Sequence, residues 1–213
     1  LLTARLFSSF ISLGSILLVY IICLQYQFSF KRTSLVLLLL ACDFLFLKLK
    51  DVHFFDEIPE PFDTLEANSA IKANTVYFFC NKNCFAEDTG LFIEGLNGEP
   101  GVFSARYAGE PVDSMKNIEK VLRKMYGLSN RRAYFKTVIT LVLPQGEWQF
   151  EGVCHGQIST EIAGCDGFGY DPIFIPDGYD KTFANMLPDT KNSISHRKKA
   201  FDKFADFLLR FNS

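Results

Sequence analysis

The sequence predicts an α/β fold built on a mixed sheet. From about residue 47 onward, short apolar or alternating stretches typical of strands are interspersed with stretches of helical spacing. These stretches do not follow the strict strand–helix–strand repeat of a parallel sheet, which favours a mixed sheet with flanking helices. The 213 residues are enough for one large domain with a buried core.

Charge and cysteine content exclude several classes of protein. The net charge is -2, so no basic surface indicates nucleic acid as a partner. The cysteines include no CxxC pair and the histidines are scattered, which argues against a zinc site and against a disulfide framework. The thiols are predicted to be reduced core residues. They are Cys23, Cys42, Cys80, Cys84, Cys154 and Cys165.

Residues 1–46 differ from the rest of the chain. No charged side chain occurs in residues 6–30, and residues 6–24 are long and apolar enough to span a bilayer. Three interpretations follow: a membrane anchor, a segment like a signal peptide, or sequence that is not native to the protein. No small-residue cleavage site stands out, which argues against the signal peptide.

The elements predicted for the first half of the domain begin with a strand edge that runs into an acidic, proline-bounded loop at residues 50–61. Thr64 is then placed to cap a helix over residues 65–79. Residues 84–96 are predicted to form two short strands around a turn made by the sequence EDTG.

The second half continues with a helix that Asp113 or Ser114 begins and Gly127 ends. Residues 133–143 suit a buried strand, and the turn PQGE leads into an alternating, half-exposed strand at residues 148–154. The sheet is predicted to continue through residues 155–163. The C-terminal stretch is predicted to form a helix with one apolar face. That face consists of Phe201, Phe204, Leu208 and Phe211.

The first candidate for chemistry is the EDTG sequence. The carboxylates of Glu87 and Asp88 can hold a hard cation such as Mg²⁺ through oxygen. The hydroxyl of Thr89, with backbone N–H groups, can meet a phosphate. Taken alone, the same four residues also suit an ordinary acidic turn.

The second candidate is the sequence GFGYDP, which begins at residue 167. Gly167 and Gly169 let the backbone approach a ligand closely. Phe168 and Tyr170 offer flat faces on which a base can stack, and Asp171 can accept a hydrogen bond from a base or sugar. The alternative is a glycine-kinked strand entry with aromatic residues in the core.

Two further stretches carry cations. Lys191, Ser195, His196 and Arg197 crowd hydrogen-bond donors at the start of the last helix, where the helix dipole favours a bound acceptor. The alternative is an ordinary solvated helix face. The sequence SARYAG places Arg106 beside a tyrosine. Arg106 is either an anion contact or a buried structural arginine.

Taken in order and spacing, these motifs resemble the inosine triphosphate pyrophosphatase family. The resemblance rests on EDTGLFIEGLNGEPGVFSARYAGE, GFGYDPIFIPDGYDKTFA and KNSISHRKKA, and it runs from about Phe46 to the C-terminus. It implies an elongated mixed sheet with two lobes around a nucleotide cleft. It also implies a Mg²⁺-dependent, homodimeric enzyme that cleaves ITP, dITP or XTP between the α and β phosphates.

The resemblance also implies a role for each matching residue. Asp88 corresponds to the general base and a metal ligand, with Glu87 as the acid that precedes it. Thr89 corresponds to a substrate contact, and Lys191 to a substrate-binding lysine. The base-binding loop corresponds to Phe168, Gly169, Tyr170 and Asp171. The pair that reads the base corresponds to His196 and Arg197.

The sequence departs from the family in two places. A metal-binding glutamate is expected before the asparagine of the first helix, but Ala67 occupies that position and Glu66 lies one residue earlier. No residue in 1–46 supplies the family's first strand and phosphate-binding loop. A one-base shift across residues 21–34 allows codons for a similar strand and polar loop, so a frameshift or faulty gene model is one explanation.

We therefore expect a hydrophobic segment at residues 1–46 and a pyrophosphatase domain at residues 47–213 that lacks the usual first strand and phosphate loop. The expected location is cytoplasmic, with membrane anchoring through residues 6–24 as the alternative. Two alternative functions stay open: a catalytically impaired or membrane-tethered nucleotide-binding relative, and a related pyrophosphatase with other base preferences.

Overall fold

A computed structural model describes residues 17–21 and 45–211 of the protein. The described residues form a mixed sheet of seven strands with helices on both faces. The strands are β1 (Leu17–Ile21), β2 (Leu45–Lys48), β3 (Asn83–Ile93), β4 (Pro100–Gly101), β5 (Arg132–Leu143), β6 (Gly146–Ile158) and β7 (Phe174–Pro176). The helices are α1 (Leu65–Cys80), α2 (Ser114–Lys124), α3 (Pro188–Ile194) and α4 (His196–Phe211).

The pairing confirms the predicted mixed sheet. The strand order is β2-β1-β3-β5-β6-β7, and β4 pairs with β3 outside this path. β1 runs parallel to both β2 and β3. All the other pairs are antiparallel, so the sheet changes from parallel to antiparallel pairing at β3.

The N-terminal segment contributes to this sheet. Residues 17–21 form β1, although residues 1–46 were expected to lack the family's first strand. The other residues of that segment, up to residue 44, lie outside the described part of the chain. The domain boundary at residue 47, the membrane anchor and the frameshift stay predictions. Among the described residues, 17–21 and 45–211, none of the helices combines the length and the hydrophobicity of a membrane span.

The prediction of two short strands around an EDTG turn is wrong. β3 runs without interruption from Asn83 to Ile93, and Asp88, Thr89 and Gly90 all pair in register with β5. Gly90 is required by packing, because a Cβ atom at this position would lie 2.6 Å from the carbonyl oxygen of Gly101. The glycine therefore lets β4 approach β3 and does not make a turn.

Most of the other elements agree with the sequence. Thr64 caps α1 by accepting a hydrogen bond from the backbone N–H of Ala67, at 3.2 Å. Asp113 caps α2 in the same way. β5 and β6 occupy the predicted positions, and burial alternates along the second half of β6. The strand ends at Ile158, so the sheet does not continue to residue 163 as predicted.

The two faces of the sheet are covered by different helices. α1 packs on β3 and β5, and Ala73 and Val76 are buried against the strand residues Cys84 and Ala86. α4 packs on the other face, where Phe204 and Leu208 join a core with Phe85 and Phe150. Phe201 is only partly buried, and Phe211 is exposed, so the predicted apolar face of α4 is narrower than expected.

The cysteine prediction is confirmed in part. Cys84 and Cys154 are buried free thiols, and Cys80 is partly buried. Cys165 is exposed, which contradicts a core position for that residue. Cys23 and Cys42 lie outside the described residues.

Gly152 on β6 allows the start of α4 to pack closely against the strand. A Cβ atom at this position would lie 2.0 Å from the carbonyl oxygen of His196 and 2.4 Å from the backbone nitrogen of Ala200. We expect Gly152→Ala to push the start of α4 away from the sheet and to lower the free energy of unfolding by roughly 1–3 kcal/mol. Urea denaturation measures this change.

The control for this substitution is Gln157→Ala, at an exposed position of the same strand. An unchanged stability of Gly152→Ala would contradict the close approach of α4 to β6.

Candidate active site

The candidate site is organised by two adjacent acids in the middle of β3. Successive side chains of a strand point to opposite faces of a sheet. Asp88 therefore lies on the face covered by α1, together with Ala86, and Glu87 lies on the face covered by α4. Each acid has its own group of neighbouring side chains, and we call these groups the Asp88 pocket and the Glu87 pocket. The Glu87 pocket consists of Glu87, Phe168, Asp171, Lys191 and Arg197.

The Asp88 pocket consists of Asp88, Lys72, Glu60 and Arg106. Lys72 comes from α1, and its Nζ donates to Asp88 Oδ1 at 2.8 Å and to Glu60 Oε1 at 3.0 Å. Arg106 Nη1 donates to the other oxygen of Glu60, Oε2, at 3.1 Å. The four groups form one chain of alternating charge that begins at the buried strand and ends near the surface.

Burial and charge act against each other in this pocket. Burial raises the pKa of Asp88 to about 6, although Lys72 opposes this shift. Burial alone would raise the pKa of Glu60, but Lys72 and Arg106 outweigh it and the pKa is lowered. Burial would lower the pKa of Lys72, but Asp88 and Glu60 outweigh it and the pKa is raised. At neutral pH Lys72 is therefore charged and Asp88 is largely ionised.

One oxygen of Asp88 is unpaired. Among the described side chains, Asp88 Oδ2 is a buried atom for which no hydrogen-bond partner is present. Leaving a buried polar atom without a partner costs about 1–3 kcal/mol. Such an atom next to a second carboxylate is a position that a hard cation or an ordered water molecule can satisfy.

The Glu87 pocket brings together the second acid and most of the predicted base-binding residues. Arg197 Nε donates to Glu87 Oε1 at 3.1 Å, and the Cζ of Arg197 lies 4.8 Å from the centroid of the Phe168 ring. Lys191 Nζ lies 5.1 Å from the same centroid and pairs with Asp171. Phe168, Lys191 and Arg197 are partly exposed, so a ligand can reach them.

Two residues of the GFGYDP sequence are buried and hydrogen-bonded to the protein backbone. Tyr170 is only 5% exposed, and its hydroxyl donates to the carbonyl oxygen of Ser104 at 2.8 Å. Asp171 is buried and accepts from the backbone N–H of Phe168 at 2.8 Å. Both residues shape the loop that presents Phe168, and their predicted contacts with a base stay predictions. Gly169 has a positive φ of 58°, which favours glycine.

His196 is the first residue of α4, and its ring stacks on that of Phe135 with the centroids 4.7 Å apart. Burial, together with the nearby cations Arg197, Lys191 and Lys199, holds the pKa of His196 well below its usual range. The imidazole is therefore neutral. Within the described structure, neither of its ring nitrogens has a hydrogen-bond partner.

The three carboxylates predicted as metal ligands do not come together. Asp88 and Glu87 lie on opposite faces because the strand continues through them. Glu66 forms an ion pair with Lys136 at 2.6 Å, and Lys136 also pairs with Glu151. The described residues contain no group of three or more metal-binding side chains. Thr89, the predicted phosphate contact, is hydrogen-bonded to Thr137 at 2.7 Å.

Sequence reasoning missed Glu60 and Lys72. Glu60 lies in the proline-bounded acidic loop, and that unusual composition was the one available signal. Lys72 is only 2% exposed, and a lysine this deeply buried requires a paired acid. Its position in the apolar sequence of α1 gave no indication of the partner.

The fold and the two pockets define an α/β protein whose mixed sheet carries a cluster of charged side chains on each face of β3. The sequence model of the Ham1 family matches residues 34–207. The chain belongs to the Ham1 family, and the resemblance found in the sequence is confirmed.

Curated relatives and solved structures are consistent with membership of this family. A dITP/XTP pyrophosphatase of Flavobacterium johnsoniae is 47% identical over 162 residues, which cover 76% of this chain and 84% of the relative. One from Bacillus subtilis is 44% identical over 163 residues, covering 75% and 82%. The structure of a HAM1 protein from Coxiella burnetii matches with a TM-score of 0.82 at 33% identity, covering 92% of this chain and 99% of that protein.

The neutral state of His196 predicts a pH-dependent stability. Its pKa is lower in the folded state than the ordinary value of 6.5, so the unfolded chain binds more protons and stability falls as the pH drops below that value. Between about pH 7 and about pH 5.5, we expect the wild type to lose about 1 kcal/mol more than His196→Gln. Urea denaturation at several pH values measures this difference.

The control for this experiment is His155→Gln, which removes an exposed histidine. Parallel stability curves for the wild type and His196→Gln across this pH range would contradict a buried neutral imidazole.

Proposed function

We propose that this chain hydrolyses the non-canonical purine nucleoside triphosphates ITP, dITP and XTP to the monophosphate and pyrophosphate. The main support for this proposal is that β3 places Asp88 beside a lysine and a second carboxylate, and Glu87 beside Arg197 and Phe168. We assign the reacting phosphates to the Asp88 side of the strand and the base to the Glu87 side. A nucleotide can reach both sides because the described pairing of β3 with β1 ends at Ala86 and that with β4 begins at Leu91, which leaves this edge of the strand open between them. The names of the curated relatives support the same substrate class.

Asp88 is the residue that we propose as general base. Its pKa of about 6 lies close to neutral pH, where a base is both ionised and able to accept a proton. Hydrolysis of a phosphoanhydride needs an oriented water molecule and neutralisation of the phosphate charge, with no covalent nucleophile. The carboxylate of Asp88 orients the water and accepts its proton.

The residues present fit the proposed cofactor Mg²⁺. The unpaired Asp88 Oδ2 and the neighbouring Glu60 supply hard oxygen ligands. Mg²⁺ commonly binds through one or two carboxylates and the phosphates of its substrate, so a cage of three protein ligands is not required. When bound there, the ion would neutralise phosphate charge. Lys72 stabilises the two carboxylates in the absence of a ligand.

The base is selected in the Glu87 pocket. Phe168 offers a ring for stacking, and Arg197 donates hydrogen bonds to a 6-oxo group. A neutral His196 donates through one nitrogen and accepts through the other. A 6-oxo purine presents an acceptor at O6 and a donor at N1, whereas adenine reverses both. Adenine would therefore leave buried groups unpaired, which is the strongest basis for discrimination between bases.

The assembly and location implied by the sequence are part of this proposal. A homodimer in the cytoplasm is the expected form. Membrane anchoring applies only if residues 6–24 form a genuine anchor, and residue 47 is kept as the start of the pyrophosphatase domain.

Replacing the proposed base tests the function. Asp88→Asn should lower the rate of pyrophosphate release from ITP by roughly 100-fold or more. Lys72 keeps Glu60 as a partner, so the variant should stay folded. Addition of Mg²⁺ should raise the melting temperature of the wild type and have less effect on Asp88→Asn, because one ion ligand is lost. Pyrophosphate release and thermal unfolding, each with and without Mg²⁺, measure these effects.

Asp177→Asn is the matched control, because Asp177 forms a surface pair with Arg132 away from both pockets. Undiminished turnover in Asp88→Asn would remove Asp88 from the mechanism. Binding of ITP by the wild type without turnover would favour the nucleotide-binding relative. A panel of ITP, XTP, GTP and dUTP identifies a pyrophosphatase with other base preferences.

A further inference from the structure

Arg106 is a cation of the Asp88 pocket to which the proposed mechanism gives no role. Its Nη1 donates to Glu60 Oε2 at 3.1 Å, and Glu60 is joined through Lys72 to Asp88. In this chain of ion pairs, the guanidinium is therefore one carboxylate further from Asp88 than Lys72 is. The sequence left open whether this arginine contacts an anion or is buried for structural reasons.

The two cations of the pocket differ in access. The side chain of Lys72 is 3% exposed, whereas that of Arg106 is 34% exposed. The guanidinium carbon of Arg106 also lies 5.8 Å from the centroid of the exposed Phe103 ring. An arginine has five N–H donors, and Glu60 is the acceptor that the described structure gives to this guanidinium. Arg106 is thus a cation at the entrance with further donors available.

The backbone that carries Arg106 is fixed from two sides. The side chain of Asn117, on α2, accepts from the backbone N–H of Ala108 at 2.6 Å and donates to the carbonyl oxygen of Ala105 at 2.8 Å. Ser104 accepts from the backbone N–H of Leu91 on β3 at 2.8 Å. Arg106 is therefore held next to the pocket before any ligand arrives, which lowers the entropic cost of binding.

We propose that Arg106 binds the pyrophosphate part of the substrate, the two phosphates that leave in the reaction. This inference rests on the proposed function and adds a residue to it. Cleavage between the α and β phosphates occurs at Asp88, so a cation one carboxylate further out meets the phosphates beyond the reacting one. The planar guanidinium fork suits bidentate contact with phosphate oxygens.

The test uses the two products, because each carries one part of the substrate and neither is consumed. Calorimetry with Mg²⁺ present measures the dissociation constants of inorganic pyrophosphate and of inosine monophosphate. Arg106→Gln should weaken pyrophosphate binding by about 10-fold or more, as expected for lost hydrogen bonds to a charged group. Binding of inosine monophosphate should change by less than about twofold on the same scale. Arg106→Lys, which keeps the charge and loses the fork, should lie between.

Two further variants separate phosphate binding from a structural role. Arg132→Gln removes another arginine that pairs with an aspartate, and it should bind both products like the wild type. If Arg106 only anchored Glu60, its loss would weaken both products together and would lower the melting temperature by as much as Glu60→Gln does. Equal weakening of both products, or unchanged pyrophosphate binding in Arg106→Gln, would overturn the inference.

The role of Arg106 and the proposed function can fail separately, and the measurements distinguish the two failures. A wild type that releases pyrophosphate from ITP, with unchanged pyrophosphate affinity in Arg106→Gln, overturns the role of Arg106 alone. A wild type that binds pyrophosphate through Arg106 but does not hydrolyse ITP overturns the proposed function alone. A wild type that neither binds pyrophosphate nor hydrolyses ITP overturns both.

Discussion

The burial of one charged lysine determines how the candidate site is built. Lys72 is only 2% exposed, and an ammonium group in such surroundings is stable only beside opposite charges. It therefore ties three parts of the chain together: α1, the central strand through Asp88, and the loop through Glu60. The side chain of Asn68 reinforces this arrangement by hydrogen bonds to both backbone groups of Phe62, at 3.1 Å and 3.0 Å.

The two-sided arrangement of the site is a consequence of strand geometry. A continuous β3 places Asp88 towards α1 and Glu87 towards α4, so a single strand serves two pockets. The long pairing with β5 holds this strand rigidly, which is the usual way to position groups more accurately than a loop can. Gly90 and Gly152 permit the close approach of β4 and of α4 to the two sides of this frame.

Local sequence signals predicted most of the fold. The caps Thr64 and Asp113, the apolar run of β5 and the alternation of β6 all act over a few residues, so they can be read from the sequence. The EDTG sequence was misinterpreted because its residue types favour turns. Its conformation is decided by pairing with β5 and by the contact of Gly90 with Gly101. Both interactions involve residues outside the EDTG sequence, so a local pattern cannot reveal them.

The site, too, could be predicted only where local sequence motifs define its residues. The sequence could predict Asp88, Phe168, Lys191, His196 and Arg197 as members of the site, because motifs hold these residues at fixed spacings. It could not find that Glu60 approaches Asp88, since that contact depends on the path of a loop. It also joined Glu87 and Asp88 in one metal site, because a turn would have allowed both side chains to converge. With β3 predicted as one strand, alternation alone would have separated them.

The distribution of unsatisfied polar atoms supports this assignment of the site without reference to any motif. In the part of the chain that the structure describes, the buried side-chain atoms without partners are Glu87 Oε2, Asp88 Oδ2 and the two ring nitrogens of His196. Folded proteins satisfy nearly all such atoms, so exceptions need an explanation. Here they belong to the two adjacent acids of β3 and to His196, which precedes Arg197 in the chain. Unsatisfied atoms that are confined to these three residues support the proposal that a ligand binds there. Under the proposed function, a cation or water would satisfy Asp88 Oδ2, and a hydrogen-bonding ring edge would satisfy the imidazole of His196.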